Sequence, residues 1–254
     1  MEKKRRNIWR IVGIVAVIVV LLLAVGAGAF VVWGNNALPA MPEALLAMES
    51  DAAVTVTQAD WIEFSPTGEP ATIGFIFYPG ARVDPKAYAP PLRALAEQGY
   101  FVAVTPMPLN FAILAPDRAD AVMAAHPAIE HWFVGGHSLG GATAAVYADR
   151  HPDAVDGVIF WAAYPPESNS LADQPELIVS SIYGTLDGLA TPAKVAASKP
   201  FVPEATQFVP IEGGNHAQFG WYGDQSGDNP ATITRAEQQQ QVIVASLAAL
   251  ASVR

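Results

Sequence analysis

The chain has 254 residues, a net charge of −10 and no cysteine. This length is sufficient for one domain with a sizeable core, and the acidic balance argues against binding to nucleic acid or to an anionic membrane surface. The lack of cysteine excludes a disulfide framework, a thiol nucleophile and a cysteine-ligated metal site.

The first predicted element is an apolar N-terminal helix. The run from Ile11 to Trp33 contains no charged residue and is long enough to cross a bilayer. Five of the first ten residues are basic, which by the positive-inside rule places residues 1–10 in the cytoplasm. We therefore predict a transmembrane signal anchor over residues 11–33 that leaves the following domain on the outer side of the cell membrane.

The alternative for this segment is a signal peptide that is cleaved. Ala27-Gly28-Ala29 has the small-x-small pattern of a cleavage site, and Ile11 to Leu23 has the length of an h-region. Against cleavage, the apolar run continues past this point and ends in Trp33, a residue type that is common at membrane interfaces. With cleavage, the domain would be secreted.

A linker is predicted over residues 34–50, and a folded domain over residues 51–254. Prolines interrupt the linker, which ends in a short amphipathic segment from Glu43 to Glu49. The β-rich runs Val54 to Thr57 and Trp61 to Phe64 then predict two antiparallel edge strands at the start of the domain.

From Thr72 onward, predicted strands and helices alternate. Short apolar runs typical of buried strands are separated by longer segments typical of helices. The predicted strands cover residues 72–78, 100–105, 131–135, 157–161, 177–183 and 206–210, and the predicted helices cover residues 85–98, 116–125, 139–150, 192–198 and 230–253. This order predicts an α/β fold with a mostly parallel central sheet and helices on both faces. In the last helix, Gln238 to Gln241 are expected to face solvent.

A serine between glycines lies at one of the predicted strand-to-helix turns. Gly136, Ser138 and Gly140 form the pattern G-x-S-x-G. In serine hydrolases the small residues let such a turn close tightly and hold the serine oxygen clear of the backbone. A glycine-rich turn without chemistry has the same composition, but the buried run before it and the good helix after it favour a nucleophile at Ser138.

A serine nucleophile needs a base and a third group that orients the base. His216 lies in the loop after the last predicted strand, and Asp187 follows the strand before it. Loops at the carboxyl ends of parallel strands are where ligands bind in open α/β sheets. Asp187 alone could be a turn residue and His216 a surface residue, but the order Ser138, Asp187, His216 is that of the α/β-hydrolase triad.

The remaining histidines are expected to be surface or packing residues: His126, His131, His137 and His151. The spacing of His126 and His131 does not predict a metal site. No cofactor and no metal are therefore predicted.

Two backbone N–H groups are predicted to form an oxyanion hole. One belongs to Leu139, directly after the nucleophile, and the other to Ala81, in the loop after the first parallel strand. Gly80 is the alternative donor in that loop, since Pro79 has no N–H. Aromatic residues near the site are predicted to contact an apolar part of the substrate, or else to be core and surface residues: Tyr78, Tyr164, Phe219 and Trp221.

With these motifs the sequence resembles the α/β-hydrolases, and within them the compact lidless group that includes dienelactone hydrolase-like proteins. The resemblance covers about Thr72 to Ala249 and is carried by Tyr78-Pro79-Gly80-Ala81, Gly136-His137-Ser138-Leu139-Gly140-Gly141, Gly184-Thr185-Leu186-Asp187-Gly188 and Gly214-Asn215-His216-Ala217-Gln218-Phe219-Gly220. It implies the α/β-hydrolase fold and hydrolysis of carboxylic esters or related bonds. Dienelactone hydrolases use a cysteine nucleophile and the usual oxyanion motif is His-Gly, so the resemblance does not identify the substrate.

The sequence as a whole predicts a membrane-anchored serine hydrolase that cleaves a small-molecule ester through an acyl-enzyme intermediate. An amidase, a lipase or a transacylase could use the same triad, and a substrate panel would separate them from an esterase. A catalytically silent binding protein with the same fold is the other alternative, which turnover measurements would identify. The short connection from Ala162 to Glu176 predicts an open site without a helical lid. The sequence does not indicate the oligomeric state.

Overall fold

The computed structural model describes residues 2–253, with the side chains of residue 7 and of residues 9–253. The chain divides into two compact units, one that ends at Asn36 and one that begins at Ala37. The first unit consists of helix α1 (Glu2–Asn35). Its segment Trp9–Asn35, which contains an 18-residue stretch with a mean hydropathy of 3.0, is long and apolar enough to span a membrane, a property that a signal sequence shares. The basic side chains of residues 3–6 lie outside the part that the structure describes.

The second unit contains a single eight-stranded sheet. Its strands are β1 (Val54–Gln58), β2 (Ile62–Pro66), β3 (Ile73–Tyr78), β4 (Phe101–Val104), β5 (His131–His137), β6 (Gly157–Trp161), β7 (Ile178–Gly184) and β8 (Gln207–Ile211). The strand order is β1-β2-β4-β3-β5-β6-β7-β8, with antiparallel pairing at β1-β2 and β2-β4 and parallel pairing elsewhere. The predicted mostly parallel sheet with two antiparallel strands at one edge is confirmed.

Helices cover both faces of this sheet. They are α2 (Pro42–Leu46), α3 (Ala89–Ala96), α4 (Arg118–Ala125), α5 (Leu139–Arg150), α6 (Pro192–Ala197) and α7 (Arg235–Leu250). Because successive side chains of a strand point to opposite faces, β3 contributes Phe75 and Phe77 to one core and Ile76 and Tyr78 to the other. The first core packs against α3 and α7, and the second packs against α4 and α5.

The residues between Ala37 and β1 belong to the second compact unit. Leu38 forms a parallel bridge with Val83, in which its N–H donates to the Arg82 carbonyl at 2.6 Å and its carbonyl accepts from the Asp84 N–H at 3.0 Å. Helix α2 then contacts the short 3₁₀ helix at residues 85–88. The compact unit therefore starts within the segment that the sequence suggested as a linker.

Helix α7 begins five residues later than the predicted start at residue 230. Thr234 caps it: its Oγ1 accepts from the Glu237 N–H, and the Glu237 carboxylate accepts from the Thr234 N–H at 2.8 Å. This Thr-x-x-Glu pattern is a capping box, which marks a helix start more specifically than the proline at residue 230 does.

Candidate active site

Ser138 occupies the sharp turn between β5 and α5. Its φ of 53° and ψ of −122° belong to a region that residues other than glycine rarely adopt. A Cβ at Gly136 or at Gly140 would overlap the carbonyl oxygen of Tyr78. Both positions therefore require glycine, because the turn packs directly against the end of β3. A strained serine at a strand-to-helix turn is the geometry of a nucleophile elbow.

A cavity of about 280 Å³ opens beside Ser138. Its walls come from the start of α5, the segment after β6 and the loop after β7: Ser138, Leu139, Ala142, Ala162, Ala163, Tyr164, Leu189 and Ala190. None of these lining residues is charged. A small uncharged group therefore fits beside the Ser138 side chain better than an ionic one does.

His216 and Asp187 meet after β8 and β7. His216 Nδ1 lies 2.8 Å from Asp187 Oδ2, and both side chains are buried. The other carboxylate oxygen of Asp187 accepts from the N–H groups of Leu189, at 2.8 Å, and Ala190, at 2.7 Å. An ionised carboxylate only accepts hydrogen bonds, so the imidazole proton is on Nδ1. His216 Nε2 is then an acceptor, and it is buried without a hydrogen-bond partner among the described residues.

Backbone contacts between the two loops bring these side chains together. The Leu186 N–H donates to the Gly214 carbonyl at 2.9 Å. The Asp228 carboxylate accepts from one N–H in each loop, that of Gly188 at 3.0 Å and that of Ala217 at 2.8 Å. Asp228 therefore ties the loop of Asp187 to the loop of His216.

Helix α7 contacts the loop that contains His216, which we call the histidine loop. The Gln238 side chain is fully buried; it accepts from the Asn215 N–H at 3.0 Å and donates to the Asn215 carbonyl at 2.8 Å. Gln239 is buried as well. The expectation that residues 238–241 face solvent is thus wrong for the first two and correct for the last two. Helical spacing could have shown this, because Gln238 shares a face with the buried Val242 and Ala245.

Tyr88 holds the loop in which one oxyanion donor was predicted. The Gly80 N–H donates to the Tyr88 hydroxyl oxygen at 3.1 Å, and this oxygen lies 2.9 Å from His137 Nδ1. The Gly80 N–H is thereby already bonded within the protein, which favours Ala81 as the donor in this loop. Leu139, the other predicted donor, lines the cavity as the first residue of α5.

His137 is a fully buried neighbour of the proposed base. Its ring centroid is 4.4 Å from that of His216 and 5.8 Å from that of Phe219, on which it stacks. Burial, together with the nearby His216, lowers the pKa of His137 well below its ordinary value. The sequence suggested an ordinary packing residue here and gave no signal for the contact with His216.

Of the four aromatic residues suggested for substrate contact, Tyr164 lines the cavity. Tyr78 and Phe219 are fully buried, in different cores. Trp221 is partly buried and donates its ring N–H to the Gln239 side chain at 2.6 Å. The structure thus places these last three in packing contacts rather than in the wall beside Ser138.

The other histidines pair with carboxylates elsewhere in the domain. His126 Nε2 lies 2.8 Å from Glu63 Oε1, and His131 Nδ1 lies 3.0 Å from Asp156 Oδ1. Asp156 precedes β6, so it is at the opposite end of the sheet from Ser138. Among the side chains that the structure describes, no group of three or more of the types that bind metals could hold a metal ion.

Residues 74–240 match the family model of the alpha/beta hydrolase family, and the chain belongs to this family. The resemblance inferred from the motifs is thereby confirmed. None of the curated proteins compared with the chain matches it.

Several solved structures share the fold. One is described as a predicted CIB-like hydrolase from Thermoplasma acidophilum; it has a TM-score of 0.60 and 13% identity, over 79% of this chain and 99% of that one. Est1E from Butyrivibrio proteoclasticus has a TM-score of 0.53 and 13% identity, over 79% of this chain and 100% of that one. A protein assigned as a dienelactone hydrolase from Klebsiella pneumoniae has a TM-score of 0.55 and 14% identity, over 79% of this chain and 100% of that one. At these identities the likeness establishes the fold, and the chemistry has to be argued from the site.

Proposed function

We propose that this protein is a serine hydrolase that cleaves small carboxylic esters with Ser138 as nucleophile, His216 as base and Asp187 as orienting group. The observation that carries the proposal is the buried His216–Asp187 pair, at 2.8 Å, on the same sheet edge as the strained Ser138 turn. Strands β5, β7 and β8 run in the same direction. The loops that follow them therefore converge at one edge, as in other open α/β sheets.

In the first half of the reaction, Ser138 Oγ attacks the ester carbonyl carbon and its proton passes to His216 Nε2. The C–O bond to the alcohol then breaks, and the alcohol leaves with that proton. In the second half, His216 takes a proton from water, the resulting hydroxide attacks the acyl carbon, and the acid is released as the Ser138 oxygen regains its proton. Asp187 supports both halves because it stabilises the imidazolium and holds the Nδ1–H tautomer.

Charge that develops on the carbonyl oxygen requires donors fixed in advance. The N–H groups of Leu139 and Ala81 are the proposed pair. The engagement of Gly80 with Tyr88 supports Ala81 over Gly80.

The cavity supports a substrate with a small, uncharged acyl group. Its volume of about 280 Å³ is small for a ligand pocket, and four of the residues that line it are alanines. We therefore expect p-nitrophenyl acetate and butyrate to be turned over faster than long-chain esters.

Labelling with a fluorophosphonate probe tests the nucleophile. Wild-type protein should be labelled and should hydrolyse p-nitrophenyl acetate, whereas Ser138→Ala should lose labelling and several orders of magnitude in turnover. Ser168→Ala, at an exposed serine, is the matched control and should behave as wild type. Undiminished hydrolysis by purified Ser138→Ala would remove this serine from the mechanism. An inert wild type would favour a silent binding protein, and faster cleavage of p-nitroanilides would favour an amidase.

We further propose that α1 anchors the enzyme in the cell membrane, with the hydrolase domain outside. The support is the apolar segment Trp9–Asn35 behind a basic N-terminus. If the segment is cleaved as a signal sequence, the domain is secreted instead.

A further inference from the structure

The mechanism proposed above gives no role to a buried histidine that lies next to its nucleophile. His137 precedes the proposed nucleophile, and its ring is enclosed by four others: Tyr88, His216, Phe219 and Tyr222. Burying a polar ring costs free energy that an apolar side chain of similar size would not cost. Packing alone therefore does not explain a histidine at this position.

We assign a direction to the hydrogen bonds of Tyr88 from the donors and acceptors around its hydroxyl. Its hydroxyl oxygen accepts from the Gly80 N–H at 3.1 Å, so its own proton is free to point to His137 Nδ1, 2.9 Å away. The pKa of His137 is well below its ordinary value because the ring is buried beside His216, so the ring is neutral and one of its nitrogens accepts. The result is a chain of bonds from the Gly80 N–H through the Tyr88 hydroxyl to His137 Nδ1.

This series of hydrogen bonds connects the loop of the proposed oxyanion hole to the proposed base. At one end, Gly80 belongs to the loop that presents the Ala81 N–H. A Cβ at Gly80 would lie 2.7 Å from His137 Nδ1 and 2.8 Å from the Tyr88 oxygen, so the loop rests directly on the pair. At the other end, the His137 ring is in contact with the His216 ring, with centroids 4.4 Å apart.

We propose that Tyr88 and His137 are positioning residues that hold the oxyanion loop in register with His216. Neither takes part in the bond-forming or proton-transfer steps of the proposed mechanism. Tyr88 fixes the Gly80 peptide, and His137 fixes the distance between that peptide and the imidazole of His216. This inference rests on the proposed function, because it assigns a role within the same site.

Removal of the Tyr88 hydroxyl tests the proposal in the full-length protein. Tyr88→Phe should lower kcat on p-nitrophenyl acetate about tenfold and leave KM within about twofold, because the loss falls on transition-state stabilisation. Tyr147→Phe is the matched control: it also removes the hydroxyl of a buried tyrosine, one that donates to Asp120. It should lower the unfolding temperature without changing kcat.

Two substitutions of His137 separate positioning from packing. In His137→Asn, the amide oxygen can replace Nδ1 as the acceptor for Tyr88, and most of kcat should be retained. In His137→Phe, a ring remains against His216 but the acceptor is lost, so kcat should fall as in Tyr88→Phe. The double variant Tyr88→Phe/His137→Phe should be no slower than either single variant, because both break the same chain.

Several outcomes would overturn the inference. The first is a kcat of Tyr88→Phe that equals the kcat of Tyr147→Phe. The second is a Tyr88→Phe enzyme in which only KM changes. The third is an equal kcat for His137→Asn and His137→Phe. If Tyr88→Phe does not fold, the comparison of the two His137 variants decides. A wild type that neither reacts with a fluorophosphonate nor hydrolyses esters would overturn the proposed function itself, whereas an active wild type with an unaffected Tyr88→Phe would overturn this inference alone.

Discussion

At the scale of single residues, the carboxylate of Asp187 is held in place by hydrogen bonds to both of its oxygens. It accepts three hydrogen bonds, two from backbone N–H groups and one from His216 Nδ1. In Asp187→Asn, the amide oxygen can keep the two backbone donors, which leaves the amide NH₂ facing Nδ1. His216 would then carry its proton on Nε2, where it cannot accept a proton from Ser138.

We therefore expect Asp187→Asn to fold normally and to lose about 10⁴ in turnover. The measurement is kcat on p-nitrophenyl acetate, with circular dichroism to verify the fold. Asp156→Asn is the control, since Asp156 bonds His131 and the Trp132 N–H before the start of β6, and it should retain wild-type kcat. A fully active Asp187→Asn would assign the orienting role to another carboxylate.

His137 gives the domain a stability that depends on pH. Its folded-state pKa lies below the unfolded value of about 6.5. As pH falls below that value, the unfolded chain binds a proton that the folded chain does not, so stability is present above about pH 6.5 and is lost below it. One proton accounts for at most about 1.4 kcal/mol per pH unit.

Urea denaturation at pH 7.5, 6.5, 5.5 and 4.5 would measure this effect. Wild-type protein should lose stability over the lower part of the series, and His137→Phe should lose less per pH unit. Equal slopes for the two proteins would show that His137 does not contribute. The groups that face His137 include Tyr88 and Tyr222, whose pKa values are raised by burial, so these tyrosines stay neutral across the series.

At the scale of elements, α7 acts on the site through a single side chain. Gln238 satisfies both backbone groups of Asn215, the residue directly before His216. Gln238→Leu would leave this N–H and this carbonyl buried without partners. We expect the free energy of unfolding to fall by about 1–3 kcal/mol and kcat to fall as well, because the histidine loop loses its support.

Gln240→Leu provides the comparison for this prediction. Gln240 is exposed on the same helix, and such surface substitutions usually change stability by less than about 0.5 kcal/mol. Urea denaturation and ester hydrolysis of both variants would measure the difference. Equal effects of the two substitutions would mean that α7 does not support the site through Gln238.

At the scale of the whole molecule, the proposed anchor determines where the enzyme works. If residues 11–33 span the membrane with the basic N-terminus inside, protease added to intact cells or spheroplasts should digest the hydrolase domain. Digestion only after permeabilisation would show that the hydrolase domain lies on the cytoplasmic side. A mature N-terminus near Phe30, found by N-terminal sequencing, would show that the segment is cleaved.

The order of elements and the family could be predicted from the sequence. The buried runs and the alternation of strands with helices are local patterns, and the sheet confirms the fold that they indicated. The family match confirms the resemblance that the G-x-S-x-G turn and the other motifs indicated. The positions of Asp187 and His216 after neighbouring strands were also predictable, because the ends of parallel strands share one edge. Patterns within a few residues are enough for these conclusions, since backbone periodicity and turn chemistry act over that distance.

Other features were decided only in three dimensions. Tyr88 and His137 are 49 positions apart, and Gln238 is 23 positions from Asn215. Tyr78 and Phe219 resemble pocket residues in sequence and yet lie in the cores. A residue type states which contacts are chemically allowed, but which one forms depends on the packing of distant elements. For this protein the sequence by itself therefore determined the fold, the family and the candidates for the triad, whereas only the tertiary structure decided which buried side chains support them.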